Sequence, residues 1–152
     1  MIGTGEMIIR LLVAALLGGL IGLEREYRSK VAGLRTHLLV AIGSSLLMLL
    51  SQYGFEGQGD PSRVAAQIVS GIGFIGAGAI MMDRRHAVHG LTTAAGIWVS
   101  SGIGMTVAAG MYLLAGVATL LSLVGLEIAV FAFRRPTQEE LDRKNSNAHE
   151  TR

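Results

Sequence analysis

Val64-Ala65-Ala66-Gln67-Ile68-Val69-Ser70-Gly71-Ile72-Gly73-Phe74-Ile75-Gly76-Ala77-Gly78-Ala79-Ile80-Met81-Met82 runs for 19 residues without a charge. Two readings compete for it. Gly71, Gly73 and Gly76 match G-x-G-x-x-G, which cradles a dinucleotide pyrophosphate when a strand precedes it, a helix opens on it and an acidic residue follows about 20 positions on. Here the match sits in the middle of an unbroken apolar run, so that context is missing. The second reading is a membrane span. A helix rises about 1.5 Å per residue, and roughly 17–25 apolar residues cross a hydrocarbon layer about 30 Å thick. No Walker A pattern occurs anywhere in the chain, which argues against nucleotide hydrolysis by this chain alone.

Working outward, four further stretches share this character: Met7 to Leu23, Leu38 to Tyr53, Leu91 to Gly110 and Met111 to Phe133. The second reaches spanning length when Thr36 and His37 are included. Of 13 Lys and Arg and 11 Asp and Glu residues, only Arg10 and Glu127 fall inside the five stretches. Helices of a soluble bundle would carry a charged stripe, and these do not. The whole chain agrees: 152 residues, 51% hydrophobic but only 16% charged, against about 25% charged in soluble domains. Disorder needs low hydrophobicity and is excluded. The expectation is an all-α integral membrane bundle of five transmembrane helices, spanning about 7–23, 36–53, 64–82, 91–110 and 111–133, with a polar, flexible tail over 134–152.

Positive residues give the orientation, because cytoplasmic loops are enriched in Lys and Arg. Arg25, Arg28, Lys30 and Arg35 lie in the first connection, Arg84 and Arg85 in the third, and Arg134, Arg135, Arg143, Lys144 and Arg152 in the tail. Only Arg10 and Arg63 lie on the other side. The N-terminus is therefore expected outside and the C-terminus in the cytoplasm. The first stretch has no A-x-A-like cleavage site and reads as an uncleaved span. The absence of cysteine excludes disulfides, thiolate metal sites and cysteine nucleophiles. The net charge of +2 comes from membrane-flanking residues and does not point to nucleic acid.

Small residues recur every fourth position: Ala14, Gly18 and Gly22 in the first span, and Thr92, Gly96, Ser100, Gly104 and Ala108 in the fourth. In a bilayer such faces let helix backbones approach closely. Gly71, Gly73, Gly76 and Gly78 add a glycine-dense third span, packed within the bundle or against a partner subunit. A short echo, V-x-G-L-x-T, occurs at Val31 to Thr36 and again at Val88 to Thr93. Gly33 and Gly90 would turn the chain there, with Thr36, Thr92 and Thr93 in a first helical turn. The simple reading is capping; the sharper one is a pair of helix N-termini able to hold an anion or a partner's carboxylate.

The first connection, Glu24-Arg25-Glu26-Tyr27-Arg28-Ser29-Lys30, carries two i,i+4 pairs, Glu24 with Arg28 and Glu26 with Lys30. It reads either as a solvated turn or as a docking surface of specific charge pairs. Asp60-Pro61-Ser62-Arg63 is a helix start with Asp at the cap and Pro next. The polar residues inside the membrane are Gln67, Ser70, Ser100, Ser101, Thr106 and Glu127. An intramembrane carboxylate suggests function, although Glu127 could instead reach Arg134 or Arg135. His86 and His89 share a loop whose only carboxylate is Asp83, so no metal site is expected, nor any catalytic or cofactor site.

Several of these segments together resemble the MgtC/SapB family of bacterial membrane proteins. They are Gly22-Leu23-Glu24-Arg25-Glu26-Tyr27-Arg28, Ala32-Gly33-Leu34-Arg35-Thr36-His37, Asp60-Pro61-Ser62-Arg63 through Gly78, and Gly90-Leu91-Thr92-Thr93-Ala94-Ala95. The similarity runs in order from about Leu16 to Leu126, with Tyr27 standing where the family more often has Trp. It implies a multi-pass protein of the bacterial cytoplasmic membrane, linked to magnesium limitation, acid stress or virulence. It also implies regulation of a larger membrane ATPase or sensor, with ion transport as the alternative. Virulence-type members carry a further cytoplasmic C-terminal domain, and this chain is expected to be a short form without it. Besides lipid and such a partner, a homodimer is expected, since five short helices with several small-residue faces offer more contact surface than one copy can bury.

Overall fold

A computed structural model describes residues 2–55, 60–82 and 87–132. Among these, five α-helices follow one another: α1 (Thr4–Tyr27), α2 (Leu34–Tyr53), α3 (Pro61–Gly78), α4 (Leu91–Ala108) and α5 (Tyr112–Ala132). Each grows from one of the apolar stretches. Three of them, α1, α2 and α4, are long and apolar enough to cross a membrane. α3 is less apolar, because Pro61, Ser62, Arg63 and Gln67 occupy its first two turns. Arg84, Arg85, His86 and the tail with Arg134, Arg135, Arg143, Lys144 and Arg152 lie outside the described residues.

One element was not expected from the sequence. α3 stops at Gly78 rather than continuing to Met82; Ala79 N–H bonds Gly76 O at 3.0 Å and Ile80 N–H bonds Ala77 O at 3.1 Å. Gly76-Ala77-Gly78 is a weak helix former. Beyond it β1 (Met81–Met82) pairs antiparallel with β2 (Val88–His89), Met81 facing His89.

α1, α2 and α4 make the centre of the bundle. α2 and α4 run in the same direction, with Ser44 Oγ 2.7 Å from Ser101 Oγ. α1 runs against both: Arg10 near its start meets Ala108 at the end of α4, and Gly22 near its end meets Leu34 at the start of α2. The expected small-residue face of α1 is therefore a contact face. A Cβ on Gly18 would meet the Ala41 side chain and lie 2.9 Å from His37 O, and one on Gly22 would lie 2.7 Å from Leu34 Cα. On α4, a Cβ on Gly104 would run into the Ala41 backbone. Ala14, Ile21, Ile103, Val107 and Ala115 bring α1, α4 and α5 into one core. α3 packs outside, on α4 through Gly76 beside Ala94.

Polarity is inverted relative to a water-soluble bundle. Arg10, Arg25, His37, Ser44, Ser45, Thr93, Ser100 and Ser101 are buried, while Leu12, Leu16, Leu39, Phe74, Leu113 and Leu120 face outward. Soluble proteins bury their large apolar side chains and expose Arg; hydrocarbon reverses the preference for the outer face, and leaves polar side chains to bond one another inside.

Candidate functional site

The charged first connection builds a compact cluster where α1 and α5 end and α2 begins. Arg25 is only 2% exposed, and its guanidinium is forked onto the carboxylate of its neighbour Glu24: Nη2 donates to Oε1 at 2.5 Å and Nε to Oε2. Arg28 sits one turn on from Glu24, its Nε 3.7 Å from Oε1, and its Nη2 donates to Glu127 Oε2 on α5 at 2.5 Å. Glu127 thus pairs with Arg28; Arg134 and Arg135, its expected neighbours, lie outside the described residues. The Arg28 guanidinium lies 6.0 Å from the centre of the Tyr27 ring.

The second expected helical pair, Glu26 with Lys30, is not built as such. α1 ends at Tyr27, Ser29 takes a left-handed φ of 52°, and Lys30 N–H closes onto Arg25 O at 3.0 Å. Lys30 is off the helix, and the i,i+4 geometry goes with it. Glu26 instead turns to α2, where Oε2 accepts from Leu34 N–H at 2.9 Å. Glutamate here does the capping expected of Thr36, which lies in the first turn of α2 while Gly33 occupies the cap without a side-chain bond. One of the two helix N-termini suggested as an anion site is therefore already served by the chain's own carboxylate.

His37 follows one turn into α2 and is fully buried. Its Nδ1 lies 3.0 Å from Gly33 O. A carbonyl can only accept, so Nδ1 carries a proton, and in the neutral ring Nε2 is an acceptor. Nε2 points toward Gly96 of α4, where a Cβ would sit 3.2 Å away. Nε2, Ser45 Oγ and Ser100 Oγ are buried without a hydrogen-bond partner among the described residues. With the Ser44–Ser101 pair they form a polar seam between α2 and α4.

The opposite end holds a cluster that sequence reasoning missed. Arg10, 8% exposed, donates to Ala108 O at 2.5 Å, to Glu6 Oε1 at 3.0 Å and to Tyr53 Oη at 3.4 Å, and Tyr112 Oη donates to Glu6 Oε1 at 2.5 Å. Arg10 thus satisfies an orphan carbonyl at the C-terminus of α4, where a cation is electrostatically favoured. The available signal was the spacing of Glu6 and Arg10, an i,i+4 pair at the edge of an apolar run.

Other expected residues are dispersed. Arg35 and Thr92 are exposed, and Thr93, Gly96, Ser100 and Gly104 are buried on α4. Asp60 caps α3, accepting from Ser62 N–H at 2.9 Å and Ser62 Oγ–H at 2.7 Å. These two bonds hold its carboxyl below the usual carboxylate range. Arg63, Gln67, Ser70, Gly71, Gly73 and Gly78 are exposed, and a Cβ on Gly71, Gly73 or Gly78 would meet nothing within 4 Å. Of the third span's glycines, only Gly76 serves a helix contact inside this bundle.

The MgtC family model matches residues 11–134, most of the chain, with all of the first cluster and all of the second but Glu6 and Arg10. The chain is 51% identical over 132 residues to "Putative magnesium transporter YhiD" of Escherichia coli K12, covering 82% of this chain and 61% of that protein. It is 49% identical over 116 residues to Protein MgtC of Salmonella typhimurium LT2, covering 76% and 49%. Against Protein MgtC of Brucella abortus it is 47% identical over 129 residues, covering 85% and 51%. This chain therefore spans about half to three-fifths of the length of these relatives. No solved structure matches. By the length of the match and the level of identity, the chain belongs to the MgtC family.

Proposed function

We propose that this chain is a regulatory protein of the bacterial cytoplasmic membrane, serving adaptation to magnesium limitation, acid stress or virulence by contacting a larger membrane ATPase or sensor. The observation that carries the reading is the state of Glu127. Its carboxylate is taken up by Arg28, which suits a neutralised structural link between helices better than a ligand offered to a passing cation. Beside that link Tyr27 and Val31 are 86% and 80% exposed, and Lys30 and Arg35 are exposed as well. Together they form a mixed apolar and basic surface of the kind that recognises a partner. The docking surface so defined excludes Arg25, which is buried in the bundle. The N-terminus lies outside and the C-terminus inside, and two copies associate.

The test is growth in low magnesium of cells lacking the gene. Tyr27→Ala with Arg35→Ala should fail to restore growth while the protein stays at wild-type level in the membrane; full restoration would sink the docking surface. Ion transport is the second reading, favoured by the name of the Escherichia coli relative. Purified protein in liposomes with a trapped magnesium indicator is expected to give no uptake. Robust uptake abolished by Glu127→Ala would replace regulation with transport. A reporter active only outside the membrane, fused after Arg135, should be silent.

A further inference from the structure

The V-x-G-L-x-T echo marks a repetition larger than itself. Gly33 and Gly90 are the caps of α2 and α4, and Leu34 and Leu91 the first residues of those helices. Advancing by the same 57 positions turns Ser44 into Ser101, and these two residues bond each other across the parallel helices. Gly22 lies against Gly33 and Leu34; 57 residues on, Ala79 again lies against Gly90. The hairpins α1–α2 and α3–α4 are thus built alike and placed side by side.

Besides the ribbon that follows the shorter α3, the two halves differ in how their first helices close. In the first, α1 closes on α4, and Arg10 reaches across to the carbonyl of Ala108. The corresponding closure in the second half, α3 onto α2, is looser. The residue matching Arg10 is Gln67, which instead lines a groove of about 600 Å³ between α2 and α3. Gly43 and Gly71 line the same groove, and a Cβ on either would meet nothing within 4 Å. Leu39, Val40, Ile72 and Ile75 make most of the remaining wall apolar.

We infer that this groove is a binding site for one anionic phospholipid, with an acyl chain between α2 and α3. The inference rests on the membrane reading of the chain. Polarity along α3 follows that of the lipid: exposed Arg63 stands in the first turn, Gln67 lies one turn deeper, about 6 Å on, and the apolar wall lies below both. Guanidinium suits the phosphate, and the Gln67 amide can donate to a glycerol ester carbonyl. An amide left unbonded against hydrocarbon is costly, so a lipid ester answers a need that a bare acyl chain would not. Asp60 is close to Arg63, but its carboxylate is engaged with Ser62.

The full chain, extracted from membranes in mild detergent, exchanged into phosphatidylglycerol-containing micelles and weighed by native mass spectrometry, should retain one phospholipid per chain. Gly71→Leu, which fills open space, should abolish retention with helix content unchanged by circular dichroism. Arg63→Gln should lower occupancy about tenfold, the scale of one charge-assisted hydrogen bond, and it keeps the test alive if Gly71→Leu fails to fold. Phe74→Leu, on the outward face, should change nothing. Equal retention by wild type, Gly71→Leu and Arg63→Gln would overturn the site. So would a Gly71→Leu effect on dimer formation rather than on lipid, since a second copy would then be the occupant. Full-yield disulfide formation between Gln67→Cys and Ser51→Cys in native membranes would also overturn it, because α3 would then close on α2 itself. Absence of the chain from the membrane fraction would instead count against the membrane reading.

Discussion

Arg28 and Glu127 stand 99 residues apart in sequence and 2.5 Å apart in space. Both are partly exposed, so their attraction is worth only about 0.2–1 kcal/mol. What the pair supplies is register between the ends of α1 and α5. Arg28→Glu should lower the thermal midpoint in detergent slightly, and the swapped double variant Arg28→Glu with Glu127→Arg should recover it; no recovery would mean that the pair is incidental. Asp60 allows a prediction in pH. Its carboxyl titrates lower in the folded chain than in the unfolded one, so its contribution is fully present above the unfolded value and fades as pH falls through the folded value. Thermal midpoints measured from pH 6 down to pH 3 should therefore fall less steeply in Asp60→Asn than in wild type. Asp60 was legible in the sequence because capping is local chemistry. Arg10 was not: beyond Glu6, its partners come from the ends of α2 and α4, and no linear pattern announces a carbonyl 98 residues away.

At the scale of the helix, equal spacing of small residues does not mean equal use. Gly104 is pressed on Ala41, its would-be Cβ only 3.0 Å from the backbone carbonyl carbon. Gly73 meets nothing. Gly104→Ala should cost about 1–3 kcal/mol through overpacking, whereas Gly73→Ala should be neutral or stabilising by up to about 1 kcal/mol, the helix-propensity difference. Denaturation in mixed micelles would measure both; similar losses would mean that Gly73 is packed against something in the membrane. The periodicity that identified the faces of α1 and α4 was sound, Thr92 apart, because those helices sit at the centre, where the stripe is buried from Gly96 to Ala108. For α3 the sequence left two uses open, inside the bundle or against a neighbour. Only Gly76 takes the first. The early end of α3 was hidden for a different reason: Ile80, Met81 and Met82 are as apolar as a continuing helix, and the ribbon they enter depends on pairing with Val88 and His89.

Taken whole, the molecule has a tight half and a loose one. α1, α2 and α4 share a core crossed by hydroxyls and one imidazole, and α5 is tied to α1 near both of its ends, by Tyr112 to Glu6 and by Glu127 to Arg28. α3 meets α2 less closely, beside the groove. Exchange of backbone amides in detergent should therefore be faster in α3 than in α1, with α5 close to α1; equal protection of α3 and α1 would contradict that division. The positions of Ser44 and Ser101 carry a practical consequence. They are matching residues of the two hairpins, their oxygens 2.7 Å apart, in a chain that has no cysteine of its own. Exchanged for a pair of thiols, they would form a redox staple between the halves, closed by an oxidant and opened by a reductant. Any activity that depends on one hairpin sliding past the other could then be switched off and on in the same sample.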